Sequence, residues 1–197
     1  MAASADSTWR GSEEGWGWRK GSLKTRPSHR IALPKPPKGE PPRINSFDDL
    51  ADKFRAALSA VLTDMVLRGH KVLVYETIRT EERQAFLYLF GREYDDPWPH
   101  SRGIVTNART AKNGWHFYGL AADIVENDQS PWDATPTFWN DLGSCARNRG
   151  LTWGGDWVQK DRPHIQWGKC KKSPSEEAHR LYEEGGLEAV HRAVKAR

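Results

Sequence analysis

The 197 residues include only two cysteines, Cys145 and Cys170. Two are too few for a disulfide framework, so the fold must be held by a packed core. Each cysteine reads as a small buried hydrophobe rather than a metal ligand. No run approaches the roughly 20 apolar residues that a membrane-spanning helix needs. The first ten residues, Met1 to Arg10, contain no apolar stretch of the kind that forms a secretory signal. The expected product is therefore a soluble protein made in the cytoplasm, which would need another exit route to act outside it. Excess charge is also missing from most of the chain. The formal net charge is +4, but residues 1–45 carry nine Lys and Arg against four acids, leaving 21 basic and 22 acidic residues for 46–197. The basic character belongs to the N-terminal arm, and no nucleic-acid motif accompanies it. Nucleic acid is not an expected partner.

What is present divides at about Ser46. Residues 1–45 show no helical or strand periodicity, with Trp9, Trp16 and Trp18 set among Gly, Ser and charges, and five prolines between Leu33 and Pro42. That composition predicts a disordered or extended arm. A basic anchor for an anionic surface is the alternative. From Ser46, a good N-cap with Asp49 three residues on, apolar residues recur at helical spacing from Phe47 to Met65, with Gly69 as the stop. Lys71–Thr77 reads as a strand, and Arg79-Thr80-Glu81-Glu82 opens a second helix ending near Gly91. A loop follows from Arg92 to Trp115, broken by a possible extension over Gly103–Asn107. Leu120–Val125, Leu151–Trp153 and His164–Trp167 read as strands, with His164 and Gln166 on one face. Thr137–Gly150 reads as a helix, and two closing helices meet at Gly185-Gly186.

The chemistry gathers in two short stretches, Trp115-His116-Phe117-Tyr118-Gly119-Leu120-Ala121-Ala122-Asp123 and Asp161-Arg162-Pro163-His164. Two imidazoles and a carboxylate suit a catalytic zinc, which takes three protein ligands and keeps one position open. His116, Asp123 and His164 are the candidate ligands. Asp161 is left as a general base for the attacking water. Arg79, where a strand hands over to a helix, is either a surface ion-pair partner or a clamp for a carboxylate or oxyanion. Gln84 is either a solvated helix residue or a substrate contact. Trp115, Trp153, Trp157 and Trp167 are either core or pocket wall. Asp156 is either a partner to a ligand histidine or a turn residue. His29, His70, His100, His179 and His191 carry no special role in this reading.

Several motifs then fall in a familiar order: Arg79-Thr80 with Gln84, Leu87-Tyr88 to Gly91-Arg92, Ile104-Val105-Thr106-Asn107-Ala108, His116 to Asp123, Gly154-Gly155-Asp156-Trp157 and Asp161 to Trp167. From about Ser46 to the C-terminus the chain resembles the zinc D-Ala-D-Ala carboxypeptidase and L-alanyl-D-glutamate endopeptidase family, which includes phage endolysins. The resemblance implies an α+β fold of the hedgehog and DD-peptidase type, a small antiparallel sheet carrying zinc on His116, Asp123 and His164 and flanked by helices. It implies Asp161 as catalytic base assisted by Arg79, and a substrate in the peptidoglycan stem peptide, with Gln84, Trp115 and Trp167 as contacts. Asp161, where the carboxypeptidase branch usually has Glu, favours the L-alanyl-D-glutamate endopeptidase branch, as does the Val105-Thr106-Asn107-Ala108 run. The usual Ser two residues before the first zinc histidine is replaced by Gly114. The expectation is a bacteriolytic, endolysin-like monomer acting on the wall after release, with residues 46–197 as the catalytic domain. A D-Ala-D-Ala carboxypeptidase and a zinc-stabilised wall binder without turnover are the alternatives.

Overall fold

A computed structural model describes residues 39–90, 92 and 104–195. Most of the arm, with its tryptophans and His29, and the loop segment holding His100 lie outside the described residues. Helix α1 spans Asp52–Leu67 and buries Phe54, Leu58, Val61 and Met65 at helical spacing. Each of these side chains contributes about 1.5–3 kcal/mol on leaving water. The expected cap at Ser46 is moved by five residues, to Ala51. The Ser46 hydroxyl accepts from the Asp48 N–H at 3.1 Å and donates to the Asp48 carboxylate at 2.7 Å. Ser46 caps only a single turn, closed by the Leu50 N–H donating to the Phe47 carbonyl at 3.2 Å, and α1 begins after Ala51. The Ala51 N–H donates to the Gly119 carbonyl at 3.0 Å, beside the first candidate ligand.

Strand β1, Val72–Glu76, is followed by α2, Glu81–Leu89. The Thr80 hydroxyl caps α2 by accepting from the Arg83 N–H at 3.2 Å. No strand forms over Ile104–Asn107. Strand β2, Ala121–Glu126, precedes α3, Pro136–Asn148, which Thr135 caps with Pro136 in its first turn. Strands β3, Leu151–Trp153, and β4, His164–Trp167, complete an antiparallel sheet of order β1-β2-β4-β3. Helix α4, Glu176–Lys195, breaks at Gly185 and Gly186, as the sequence suggests. No helix among the described residues is long and apolar enough to cross a membrane.

The α+β class with a small antiparallel sheet is therefore the observed one. Ala122 lies opposite Ile165 and joins Ile124, Phe138, Leu142 and the α1 stripe in the core. The other face of the sheet carries the polar residues. Asp123 lies opposite His164 on β4, and Glu76 lies opposite Asp123 on β1. A β-bulge between Val74 and Glu76 produces the second pairing. Regular pairing would set Tyr75 against Asp123. The extra residue puts Glu76 there instead, so three ionisable groups line up across three strands.

The N-terminal boundary is also shared. Residues before Ser46 pack on the domain: Pro41 is buried, Ile44 forms a bridge with Ile78, and the Thr77 N–H donates to the Ile44 carbonyl at 2.7 Å.

Candidate metal centre

His116 is carried on a 3-10 turn, Trp115–Tyr118, that ends on Gly119 in the left-handed region with φ 64°. A side chain at Gly119 would be strained by that φ, and its Cβ would overlap the Asp49 carbonyl. The turn sets His116 beside the start of β2, where Asp123 projects, and β4 brings in His164. All three are buried. His116 Nε2 and His164 Nδ1 each stand 3.3 Å from Asp123 Oδ1. The three ligand atoms lie within 4.8 Å of one another, as a group able to hold a metal ion.

The remaining ring nitrogens fix the tautomers. His116 Nδ1 faces the Thr77 carbonyl at 3.0 Å, and a carbonyl only accepts, so Nδ1 carries the proton. His164 Nε2 faces Gln166 Oε1 at 3.1 Å, and the Gln166 amide is oriented by donating to the Lys171 carbonyl at 2.8 Å. Both imidazoles thus turn unprotonated nitrogens toward the same point, the arrangement in which an outer partner orients a metal-binding histidine. His116 Nε2 is buried with no hydrogen-bond partner. Such an orphan is costly unless something outside the chain satisfies it. Two ligands bound at about 2.0–2.1 Å to one tetrahedral ion stand about 3.3 Å apart. The donor set, the spacing and the orphaned nitrogen all fit a metal ion.

Without an ion, the imidazoles and Asp123 stabilise one another's charged forms instead. Burial alone would raise the Asp123 carboxyl, but the His116 and His164 rings and the Arg79 guanidinium outweigh it and hold Asp123 well below the usual carboxylate range. Burial alone would lower His164, yet its bond to Asp123 leaves it raised. Arg79 Nη2 donates to Asp123 Oδ2 at 3.0 Å, while its Nε donates to Glu76 at 2.7 Å and its Nη1 makes a 3.4 Å contact with Gln84.

Asp161 lines a cavity of about 890 Å³ together with Arg79, His116, Asp123 and His164. Its N–H donates to the Gly154 carbonyl at 3.0 Å, and the Trp153 indole donates to the Arg162 carbonyl at 2.6 Å. These bonds tie down the turn that leads into β4. The Asp161 side chain reaches solvent, but the walls around it desolvate it. That desolvation, opposed by the His164 and His116 rings and reinforced by the Asp123 charge, leaves its carboxyl raised.

The other expected contacts are placed as follows. Gln84 is buried and donates to Thr106 Oγ1 at 3.2 Å and to the Ala108 carbonyl. Trp115 borders the cavity, with its indole donating to the Lys171 carbonyl at 2.7 Å. Trp167 is half-buried at the far end of β4, away from the residues lining the cavity. Trp157 tilts over His164 with ring centres 5.1 Å apart. Asp156 pairs with Arg147 at the surface and not with a ligand histidine. The sequence reading passed over Thr77 and Glu76, whose only signal was their place at the end of a strand. It also passed over Trp132 and Trp139, which line the cavity from loop and helix.

Fold and site together define an α+β domain with a buried His-Asp-His group able to hold a metal ion. Residues 108–167, which include those three ligands and Asp161 but not Arg79, match the family model described as D-alanyl-D-alanine carboxypeptidase. The chain is 31% identical over 131 residues to an L-alanyl-D-glutamate peptidase of Listeria phage A118. That match covers 63% of this chain and 40% of the relative, so the chain spans less than half of that relative's length. The family-model match covers under a third of the chain, in the segment that carries His116, Asp123, Asp161 and His164. Among solved structures, the Serratia marcescens L-Ala D-Glu endopeptidase ChiX aligns with 64% of this chain and 90% of its own. At 21% identity and a TM-score of 0.39, that likeness is too slight to argue from.

Proposed function

We propose that the chain is a zinc-dependent peptidoglycan hydrolase that cleaves the stem peptide at the L-alanyl-D-glutamate bond. The observation that carries this reading is the convergence of His116 Nε2, His164 Nδ1 and Asp123 Oδ1, with both imidazole tautomers fixed by Thr77 and Gln166. Specificity for the L-Ala–D-Glu bond rests on the phage relative, which is named for that activity. Residues 46–197 form the catalytic domain in this reading and residues 1–45 a basic arm. The protein works as a monomer, made in the cytoplasm and released to the wall by another route.

His116, Asp123 and His164 would hold the zinc. When bound there, zinc polarises the scissile carbonyl and makes the attacking water more acidic. Asp161 takes the water's proton and returns it to the leaving amine. Arg79 Nη1, the least engaged of the Arg79 donors, faces the developing oxyanion. Trp115 and Trp157 border the cavity and exclude water from the reacting peptide.

The test is digestion of purified peptidoglycan by the wild type and by Asp161→Ala, with zinc and with chelator, followed by mass spectrometry. New L-Ala carboxyl ends and D-Glu amino ends, lost in the variant and with chelator, are the expected result. Free D-Ala would make the protein a carboxypeptidase instead, and binding without cleavage would make it a wall binder.

A further inference from the structure

The ligand Asp123 has two oxygens, and only Oδ1 faces the histidines. Its Oδ2 accepts from Arg79 Nη2 at 3.0 Å. Arg79 does not stand alone. Its Nε and Nη2 lie 2.7 and 2.6 Å from Glu76 Oε2, and Glu76 Oε1 accepts from Arg83 Nε at 2.9 Å. Glu76 is 1% exposed and Arg83 2% exposed. Arg83 Nη1 continues the chain to Glu40 at 2.8 Å, where the network reaches solvent. Alternating charges therefore run from the surface to the ligand carboxylate: Glu40, Arg83, Glu76, Arg79, Asp123.

A buried ion pair is poor evidence for stability alone, since desolvation cancels much of the attraction. Here one buried carboxylate serves two guanidiniums, with the Glu76, Arg83 and Arg79 side chains 1%, 2% and 13% exposed. The bulge in β1 exists at the position that turns Glu76, and not Tyr75, onto the face of Asp123. A carboxylate free to rotate could offer either oxygen, or both, to a cation. Arg79 engages Oδ2 and so leaves Oδ1 as the single ligand atom, equidistant from both imidazoles. An Arg79 without Glu76 could swing away from Asp123 or neutralise it less selectively.

We propose that Glu76 is a positioning residue of the metal centre, holding Arg79 so that Asp123 presents one oxygen to the ion. The proposal rests on His116, Asp123 and His164 being the metal ligands. The test uses cobalt(II) as a spectroscopic probe in the full chain, comparing the wild type with Glu76→Gln and Glu76→Asp. Three quantities are measured: the visible absorption of the bound cobalt, its affinity against a competing chelator, and the melting temperature of the metal-free protein. Glu76→Gln is expected to weaken cobalt binding by roughly tenfold, as outer-shell partners of metal ligands do, and to change the absorption band. Glu76→Asp keeps the charge but retracts it by one methylene, and is expected to shift the band in the same direction with a smaller loss of affinity. If Glu76→Gln does not fold, Glu76→Asp decides alone. A lower melting temperature with wild-type band and affinity would show Glu76 to be a stabiliser only and would overturn the proposal. A wild type that binds no cobalt would overturn the metal reading itself, which is a separate failure.

Discussion

At the scale of single residues, the centre separates groups able to hold an ion from the group that would use it. The Asp161 carboxyl lines the same cavity as the three candidate ligands but makes no hydrogen bond to their side chains. Asp161→Asn is therefore expected to keep metal affinity within about twofold while lowering peptidoglycan turnover by about 10²–10⁴-fold, the usual contribution of a positioned base. A chelator competition beside the turnover assay checks this. Loss of metal in that variant would make Asp161 a ligand. Gln166 gives the opposite pattern. It accepts the His164 Nε2 proton and so frees Nδ1. Gln166→Leu keeps the volume but removes the acceptor, and is expected to weaken metal binding by about 10–100-fold.

At the scale of elements, the site depends on turns that pass close to one another. A methyl group on Gly154 would overlap the Asp161 backbone carbonyl and press on the Cβ atoms of Asp161 and His164. Gly154→Ala is expected to cost about 1–3 kcal/mol through overpacking and to depress turnover by displacing Asp161. Thermal melting and activity, measured on the same preparation, would show both. The strands holding Asp123 and His164 were legible in the sequence because short apolar runs were bounded by Gly, Pro and turn residues. The helices α2 and α3 were legible to within two residues of their observed bounds. The α1 start was not, because nothing local says that the Ser46 carbonyl accepts from the Thr77 hydroxyl across the domain. The three candidate ligands were visible as a motif. The Arg79 contact with Asp123 was not, since it crosses 44 residues and depends on a bulge that strand alternation does not announce. The pairing of Gln166 with His164 lay between these cases, since alternation alone puts both on one face.

At the scale of the whole molecule, the turn that carries His116 is tied to the C-terminal helices through Tyr118. The Tyr118 hydroxyl shares a 3.0 Å hydrogen bond with His179 Nδ1, and its carbonyl accepts from His191 Nε2 at 2.7 Å. His179 and His191 lie on either side of the Gly185-Gly186 break, so one residue pins both halves of α4. Tyr118 is fully buried, and desolvation first, then the nearby Tyr182 and Glu183, pushes its phenol up to about 12. In the unfolded chain a tyrosine ionises near 10. The folded state therefore retains a proton that the unfolded state gives up. The resulting stability is fully present below pH 10 and is lost as pH rises toward 12, on the order of 2 kcal/mol in all. Tyr118→Phe is expected to melt lower than the wild type at pH 7, by about 1 kcal/mol for the lost hydrogen bond to His179. Its stability should then fall less steeply between pH 10 and 12, because the titrating group is gone. Denaturant unfolding of both proteins across that range measures the two slopes. Equal slopes would mean that Tyr118 does not carry the alkaline transition, and that the coupling of α4 to the His116 turn rests on the histidine contacts and apolar packing alone.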